Sequence, residues 1–231
     1  MTWTVAFSGA YDRATVELIR PLVKPETLVL DAGASLGLWT VQLGRLARAL
    51  GAEVWAFEPI PANVGWLRRN VELNHLSSTV QVHQTALGAQ PGLLTMHLEH
   101  GAGNAFVVTD RSQDGNAQVP VVRLDDIPRP CPVSFLKVDV EGFELEVLRG
   151  ARQLLAEDRP AIFGEFSEYW LERRGENLRA LLREMHEMDY EVHAVELTRS
   201  RPWLERDRAV SAPLDLDAPV LREDLLFLPR R

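Results

Sequence analysis

The sequence predicts an α/β protein with a Rossmann-like fold, in which a mostly parallel, seven-stranded sheet carries helices on both faces. Three observations carry that expectation. Short aliphatic runs alternate with amphipathic segments of helical period, which implies parallel strands joined by right-handed crossovers. A turn of small residues separates the first strand from the helix that follows it. The 231 residues suffice for one well-covered α/β domain and little beyond it.

Taken in order, residues 1–25 read as a helical extension, with Val16, Leu18, Ile19 and Leu22 on its apolar face and Pro21 and Pro25 ending it. Residues 27–30 form a compact apolar run of the kind buried on both faces in parallel sheets. The small-residue turn 31–37 follows, then a helix with Leu38, Val41, Leu43, Leu46, Ala47 and Leu50 inward and Gly51 as its stop. The unit repeats as a strand at 53–57, a helix at 61–73 with Val64, Leu67 and Val71 inward, and a strand at 80–83. Residues 93–98 and 119–122 read as an excursion of shorter strands. Between them, the Gly-, Asn-, Asp- and Ser-rich stretch 100–118 is expected to be a mobile loop. A strand at 133–138, a helix at 143–156, a strand at 161–166 and a helix at 176–188 come next, and strands at 190–195 and 225–228 close the sheet. Residues 196–224, with prolines and mixed charge, lack a clean period and are expected to form an irregular loop or lid. With no separating linker, residues 1–231 are expected to form a single domain.

A net charge of −8 disfavours a nucleic-acid partner, because neutralising phosphates requires clustered Lys and Arg. Cys131 is the sole cysteine, which rules out an intrachain disulfide. It stands between Pro130 and Pro132 and reads as a small residue at a strand mouth rather than a catalytic thiol. Residues 1–13 carry neither a basic segment nor an apolar core, so no secretory signal is expected. No apolar run reaches the ~18 residues of a membrane span. These features lead to a cytoplasmic protein whose partner is a small molecule rather than nucleic acid or membrane, with a homodimer left open.

The turn at the end of the first strand carries the chemistry. Its small residues, Gly33, Ala34 and Gly37 among them, let a ligand approach the backbone, and the helix behind offers free N–H groups. A dinucleotide fingerprint wants three glycines spaced G-x-G-x-x-G, but position 35 is Ser. Asp31 at the strand end would repel a pyrophosphate. S-adenosylmethionine carries an ammonium and a sulfonium and no phosphate, so the sign of this charge favours it over NAD. Glu58 ends the second strand, where an acid can accept hydrogen bonds from ribose hydroxyls.

The run from Val29 to Thr40 resembles the first motif of the FkbM-type methyltransferases. Ala56 to Asn63, followed by Asn70 and Asn74, is similar to the family's second block, and Ala86-Leu87-Gly88 to its third. Val119 to Ile127 resembles the lead-in to the fourth. The most diagnostic piece is Leu136 to Glu144 with Val147 to Ala151 behind it, and Asp224 to Pro229 looks like the family's final strand. The similarity is nearly continuous from Val29 to Ile162. It implies the class I methyltransferase fold, its parallel sheet closed by one antiparallel strand. The implied reaction is methyl transfer from S-adenosyl-L-methionine, usually to a hydroxyl of a secondary metabolite or sugar.

By resemblance and position, Asp31, Gly33, Ala34 and Gly37 are expected at the methionine part of the cofactor. Glu58 is expected at the ribose with Pro59 and Asn63 behind it, and Ala86 and Leu87 beside the adenine. Asp139 and Glu141 lie at the end of the fourth main strand, where open α/β sheets bind ligands. Methylating oxygen requires removal of a proton, so Asp139 is expected as a cofactor or acceptor contact and candidate base, with Glu141 and Glu165 as further catalytic candidates. Lys137 shares a strand face with Asp139 and is expected to pair with one of these acids. Asp139, Glu165 and Asp125-Asp126 are carboxylates of the sort that hold a divalent metal, but their spacing does not demand one. His83, His97 and His100 are candidates for reaching an acceptor. Trp39 and Trp66 read as packing residues, and Trp170 and Trp203 as candidates for lining an acceptor pocket. A binding module without turnover, an NAD-dependent oxidoreductase and a nucleic-acid methyltransferase are the rival readings.

Overall fold

The computed structural model describes residues 13–98, 105–107, 117–173, 175–198, 208–215 and 224–230. At its centre is β1 (Leu28–Ala32), every residue of which is buried. It lies between the parallel strands β2 (Glu53–Phe57) and β8 (Val133–Val138). Next to β2 lies β3 (Val80–His83), and next to β8 lies β9 (Ala161–Glu165), both parallel to their neighbours. Beyond β9 come β12 (Asp224–Pro229), β10 (Tyr190–Thr198) and β11 (Arg208–Pro213), each antiparallel to the strand before it. The sheet order is therefore β11-β10-β12-β9-β8-β1-β2-β3. That is eight strands among the described residues, where the sequence predicted seven.

Alternate residues of the strands supply two cores. Leu28, Leu30, Trp55, Phe57, Leu136, Val138, Ile162 and Phe227 point to one face. There they meet α4 (Glu144–Arg149), α5 (Arg152–Asp158) and α7 (Leu178–Glu187). Val29, Val54, Ala56, Phe135, Phe163 and Leu226 point to the other. Against them pack α1 (Arg13–Ile19) and α2 (Leu38–Leu50), together with Leu67 and Val71 of α3 (Pro61–Leu73). Burial on both faces explains why these strands read as continuous apolar runs. Among the described residues no helix is long and apolar enough to cross a membrane.

The excursion is a second sheet. It consists of β4 (Ala86–Leu87), β7 (Ala117–Val122), β5 (Gly92–Leu98) and β6 (Ala105–Val107), hydrogen-bonded in that order. Its buried residues Ala86, Met96, Val119 and Val121 gather around Ile60. Of the stretch 100–118 expected as a mobile loop, 105–107 and 117–118 are in strands, and the rest lies outside the described residues.

Three expectations are corrected. Part of 196–224 is regular: β10 runs on to Thr198 and pairs with β11 from Thr198↔Arg208 to His193↔Pro213. The small residues Ala209, Ser211 and Ala212 hid this strand from a hydrophobic pattern. The helix predicted over 143–156 is two helices, broken because Gly150 lies against the backbone of Gly88, where a Cβ would collide with the Gly88 carbonyl. The Asp125 amide donates to the Gly150 carbonyl at 3.0 Å. Its carboxylate then starts α5 afresh by accepting from the amides of Gln153 (3.1 Å) and Leu154 (2.9 Å). Finally, Trp66 is 58 % exposed rather than packed, whereas Trp39 is buried against Phe163.

Candidate active site

The carboxyl ends of β1, β2 and β8 meet at one cleft, as the reversal of strand order beside β1 requires. The turn after β1 is pinned by the amides of Gly33 and Ala34, both donating to the Phe57 carbonyl at 3.0 Å. Gly33 has φ +80°, and a Cβ on it would collide with the Asp139 carbonyl, so the turns that follow β1 and β8 approach closely only because this residue is glycine.

Glu58 ties the second strand to this turn. Its Oε2 accepts from the Ser35 amide at 2.9 Å, and its Oε1 from the Ile60 amide at 2.9 Å and the Asn63 side chain at 3.2 Å. Burial raises its carboxyl above the ordinary range, and these hydrogen bonds oppose the rise. The support expected of Asn63 is thus a direct hydrogen bond.

Behind the turn lies a buried charge cluster. Asp31 and Lys137 are register partners on β1 and β8. Asp31 is fully buried, with Oδ2 accepting from Thr40 Oγ1 at 2.6 Å and Oδ1 lying 3.6 Å from Lys137 Nζ. Burial raises its carboxyl and Lys137 opposes the rise. Lys137 Nζ also donates to Asp139 Oδ2 at 3.1 Å and to the Gly33 carbonyl at 3.4 Å. Lys137 therefore pairs with both acids. Asp31 faces the α2 layer rather than the cleft because it shares the strand face of Val29. The acid of this cluster that opens on the cleft is Asp139, whose side chain is 41 % exposed.

The cleft is open to solvent, with roughly 640 Å³ of space between its walls when the mouth is counted. Gly33 and Ser35 form its floor; Glu58, Pro59, Ile60 and Asn63 one wall; Asp139, Val140, Glu141 and Phe143 the other. The second sheet supplies Ala86, Leu87, Leu94 and Met96. Of the residues singled out from sequence, Gly33, Glu58, Pro59, Ala86, Leu87, Asp139 and Glu141 come together here. Asp31, Ala34 and Gly37 lie under the floor, where Gly37 begins α2. Glu165 is exposed at the end of β9, one register position past the Val138↔Gly164 pair and so beside Asp139, though it does not itself line this cleft. The ionisable side chains among the described lining residues are Glu58, Asp139 and Glu141, all acids.

Other candidates have structural duties. His83 stacks on Phe57 at 4.8 Å between ring centroids, and burial lowers its pKa. The His97 side chain, His100 and Trp203 lie outside the described residues. Trp170 packs over Gly142 from α6 (Glu168–Arg173) and does not line the cleft. Cys131 packs against the core, and burial raises its thiol pKa. Asp125 is the α5 cap, and among the described residues no three His, Cys, Asp or Glu side chains are grouped to hold a metal.

Glu144 was missed as a separate residue. It is 1 % exposed, and its Oε1 accepts from the amides of Val140 (3.2 Å) and Gly142 (3.0 Å). Burial, with Asp139 nearby, pushes its carboxyl up to about 7. The available signal was an acid opening a helix directly behind the Glu141-Gly142 turn.

A sheet ordered outward from β1 in both directions, one antiparallel strand beside β9, and a ligand cleft at the first turn define the class I methyltransferase architecture. The crystal structure of methyltransferase FkbM from Methylobacillus flagellatus KT superposes with a TM-score of 0.56 at 21% identity, over 95% of this chain and 47% of that one. A putative rRNA-methylase from Clostridium thermocellum superposes at 0.51 with 13% identity, over 92% and 90%. The sequence model of the methyltransferase FkbM domain matches residues 31–192, and the chain belongs to that family of S-adenosylmethionine-dependent methyltransferases. Two curated relatives are similar: Methyltransferase 1 of Beauveria bassiana (strain ARSEF 2860), 32% identical over 54% of this chain, and Methyltransferase sdnD of Sordaria araneosa, 30% identical over 53%. The matches span 58% and 59% of those two proteins, so the chain corresponds to somewhat over half of each.

Proposed function

We propose that the chain binds S-adenosyl-L-methionine in this cleft and methylates a hydroxyl of a small-molecule acceptor, a secondary metabolite or sugar. The observation that carries this reading is the charge of the lining. Three acids and no base among the described lining residues suit a ligand bearing a sulfonium and an ammonium, and oppose the pyrophosphate of NAD. The discriminating charge assigned to Asp31 from sequence falls instead to Asp139, with Asp31 holding Lys137 beneath it.

The residues present fit the cofactor. Glu58 has three of its roughly four acceptor positions used by the protein and keeps capacity for a ribose hydroxyl. The Gly33 turn gives backbone access for the methionine part, and Ala86 and Leu87 give an apolar edge for the adenine. S-adenosylmethionine supplies an electrophilic methyl on a positively charged sulfur that leaves as a neutral thioether. Asp139 is the candidate base: a half-exposed carboxylate that can take the proton the acceptor hydroxyl loses as its oxygen–carbon bond forms. Lys137 holds it oriented through their hydrogen bond. Glu141 on the same wall is the second candidate, and Glu165, beside Asp139 at the end of β9, is the third.

Calorimetric titration with S-adenosylmethionine, S-adenosylhomocysteine and NAD tests the cofactor, followed by radiolabelled methyl transfer to a panel of hydroxyl, amine and carboxyl acceptors. Binding of the first two ligands and label on hydroxyl acceptors is expected, with loss of transfer in Asp139→Asn. Binding without transfer to any acceptor class would favour a module without turnover, and binding of NAD alone would overturn the assignment.

A further inference from the structure

We infer that Glu144 is the positioning residue of this site: through one carboxylate oxygen it fixes the backbone of Val140 and Gly142 and so sets where Asp139 and Glu141 stand in the cleft. The inference rests on the reading of that cleft as a methyl-transfer site.

The loop needs such a device. Asp139 is anchored at its amide, which donates to the Ala32 carbonyl at 3.0 Å, and at its carboxylate by Lys137. Past it, Glu141 (φ 48°) and Gly142 (φ 92°) are both left-handed. For a residue other than glycine that conformation is unfavourable and persists only where surroundings impose it. The turn directs the amides of Val140 and Gly142 at one point, and Glu144 Oε1 occupies that point. From the outer side Trp170 closes on the loop: a Cβ at Gly142 would come within 2.8 Å of Trp170 Cβ. The loop is thus held between the Glu144 carboxylate and the Cβ and backbone carbonyl of Trp170, with Glu141 lining the cleft.

The arrangement is poor as a purely structural solution. Glu144 Oε2 is buried without a hydrogen-bond partner, and a buried carboxyl is costly to keep. A group that only filled space would be better apolar. What an apolar side chain cannot do is accept two convergent amides.

Two substitutions separate reach from charge. Glu144→Gln keeps an oxygen where Oε1 stands and discards the charge. Glu144→Asp keeps the charge and withdraws the oxygen by ~1.5 Å, one C–C bond. Turnover is expected to survive in Glu144→Gln. In Glu144→Asp it is expected to fall by about 100-fold in kcat, the scale of a ~1 Å misplacement, with a much smaller change in S-adenosylhomocysteine affinity, whose Glu58 and Gly33 contacts the substitution leaves in place. Hydrogen exchange gives a reading independent of activity: the Val140 and Gly142 amides should lose protection in Glu144→Asp and keep it in Glu144→Gln. Equal turnover in the two variants, or loss in Glu144→Gln with both amides still protected, would overturn the inference. Failure of the wild type to bind S-adenosylhomocysteine would instead overturn the underlying function, while the exchange result would still report on the clamp.

Discussion

Replacing Glu144 by Gln should make the protein more stable at pH 8 than the wild type, by an amount that disappears in acid. The carboxyl is pushed up to about 7 from an ordinary 4.5 by burial first, with the nearby Asp139 adding to it. Between those values the folded chain binds more protons at this site than the unfolded chain. Stability must therefore fall as pH rises through that window and level off above it. The difference of about 2.5 pH units, at ~1.4 kcal/mol each, is about 3 kcal/mol. The amide has no such slope. Its nitrogen would stand where Oε2 already lacks a partner, so it inherits that deficit rather than creating it. For a domain of this size ~1 kcal/mol moves Tm by about 2–4 °C, so the melting-temperature gap between variant and wild type should widen by about 6–12 °C between pH 4.5 and pH 8. Taking the gap as the observable cancels the titration of every group the two proteins share. A gap that stays constant over that range would show that Glu144 is ionised in the fold at its ordinary pKa and would refute the reasoning.

Three further outcomes are expected. Lys137→Met leaves the fully buried Asp31 without its counter-charge and should cost about 3–5 kcal/mol in urea denaturation. Adding Asp31→Asn should recover part of that loss, and a cost below ~1 kcal/mol would mean that the pair is not coupled in the fold. Gly33→Ala forces a Cβ into the Asp139 carbonyl, so S-adenosylhomocysteine should bind at least about tenfold more weakly by calorimetry; unchanged affinity would contradict the close approach of the two turns. Glu165→Ala should lower kcat less than Asp139→Asn, because Glu165 ends the neighbouring strand rather than lining the cleft, and a fall as large as that of Asp139→Asn would make Glu165 the base in its place.

The central strands could be read from the chain because burial on both faces writes itself as unbroken aliphatic runs, as in Leu28 to Leu30 and Val133 to Val138. The turn at Gly33 and the acid Glu58 could be read because small residues and a strand-end carboxylate are local features. What failed depended on distant partners. The break at Gly150 is imposed by Gly88 and Asp125, far away in sequence, and β11 exists because β10 offers an edge to pair with. The placing of Asp31 turned on which side of the strand it occupies. That is set by the pleat, and a motif read as a string does not record it. Glu144 stood in full view within the most diagnostic stretch. Its duty showed only once the two amides it serves were seen to converge on it.

The Asp125 contacts have a consequence for how such a protein could change its preference. Where the second sheet hands over to β8, the chain is bolted by amide and carboxylate to the junction of α4 and α5, and the far side of that sheet is seated at Gly88 on the same junction. Both feet of the sheet therefore stand on the helices that carry the Glu141 wall. A substitution at that junction therefore shifts the Ala86-Leu87 edge and the acid wall of the cleft together, and with them the preference of the site.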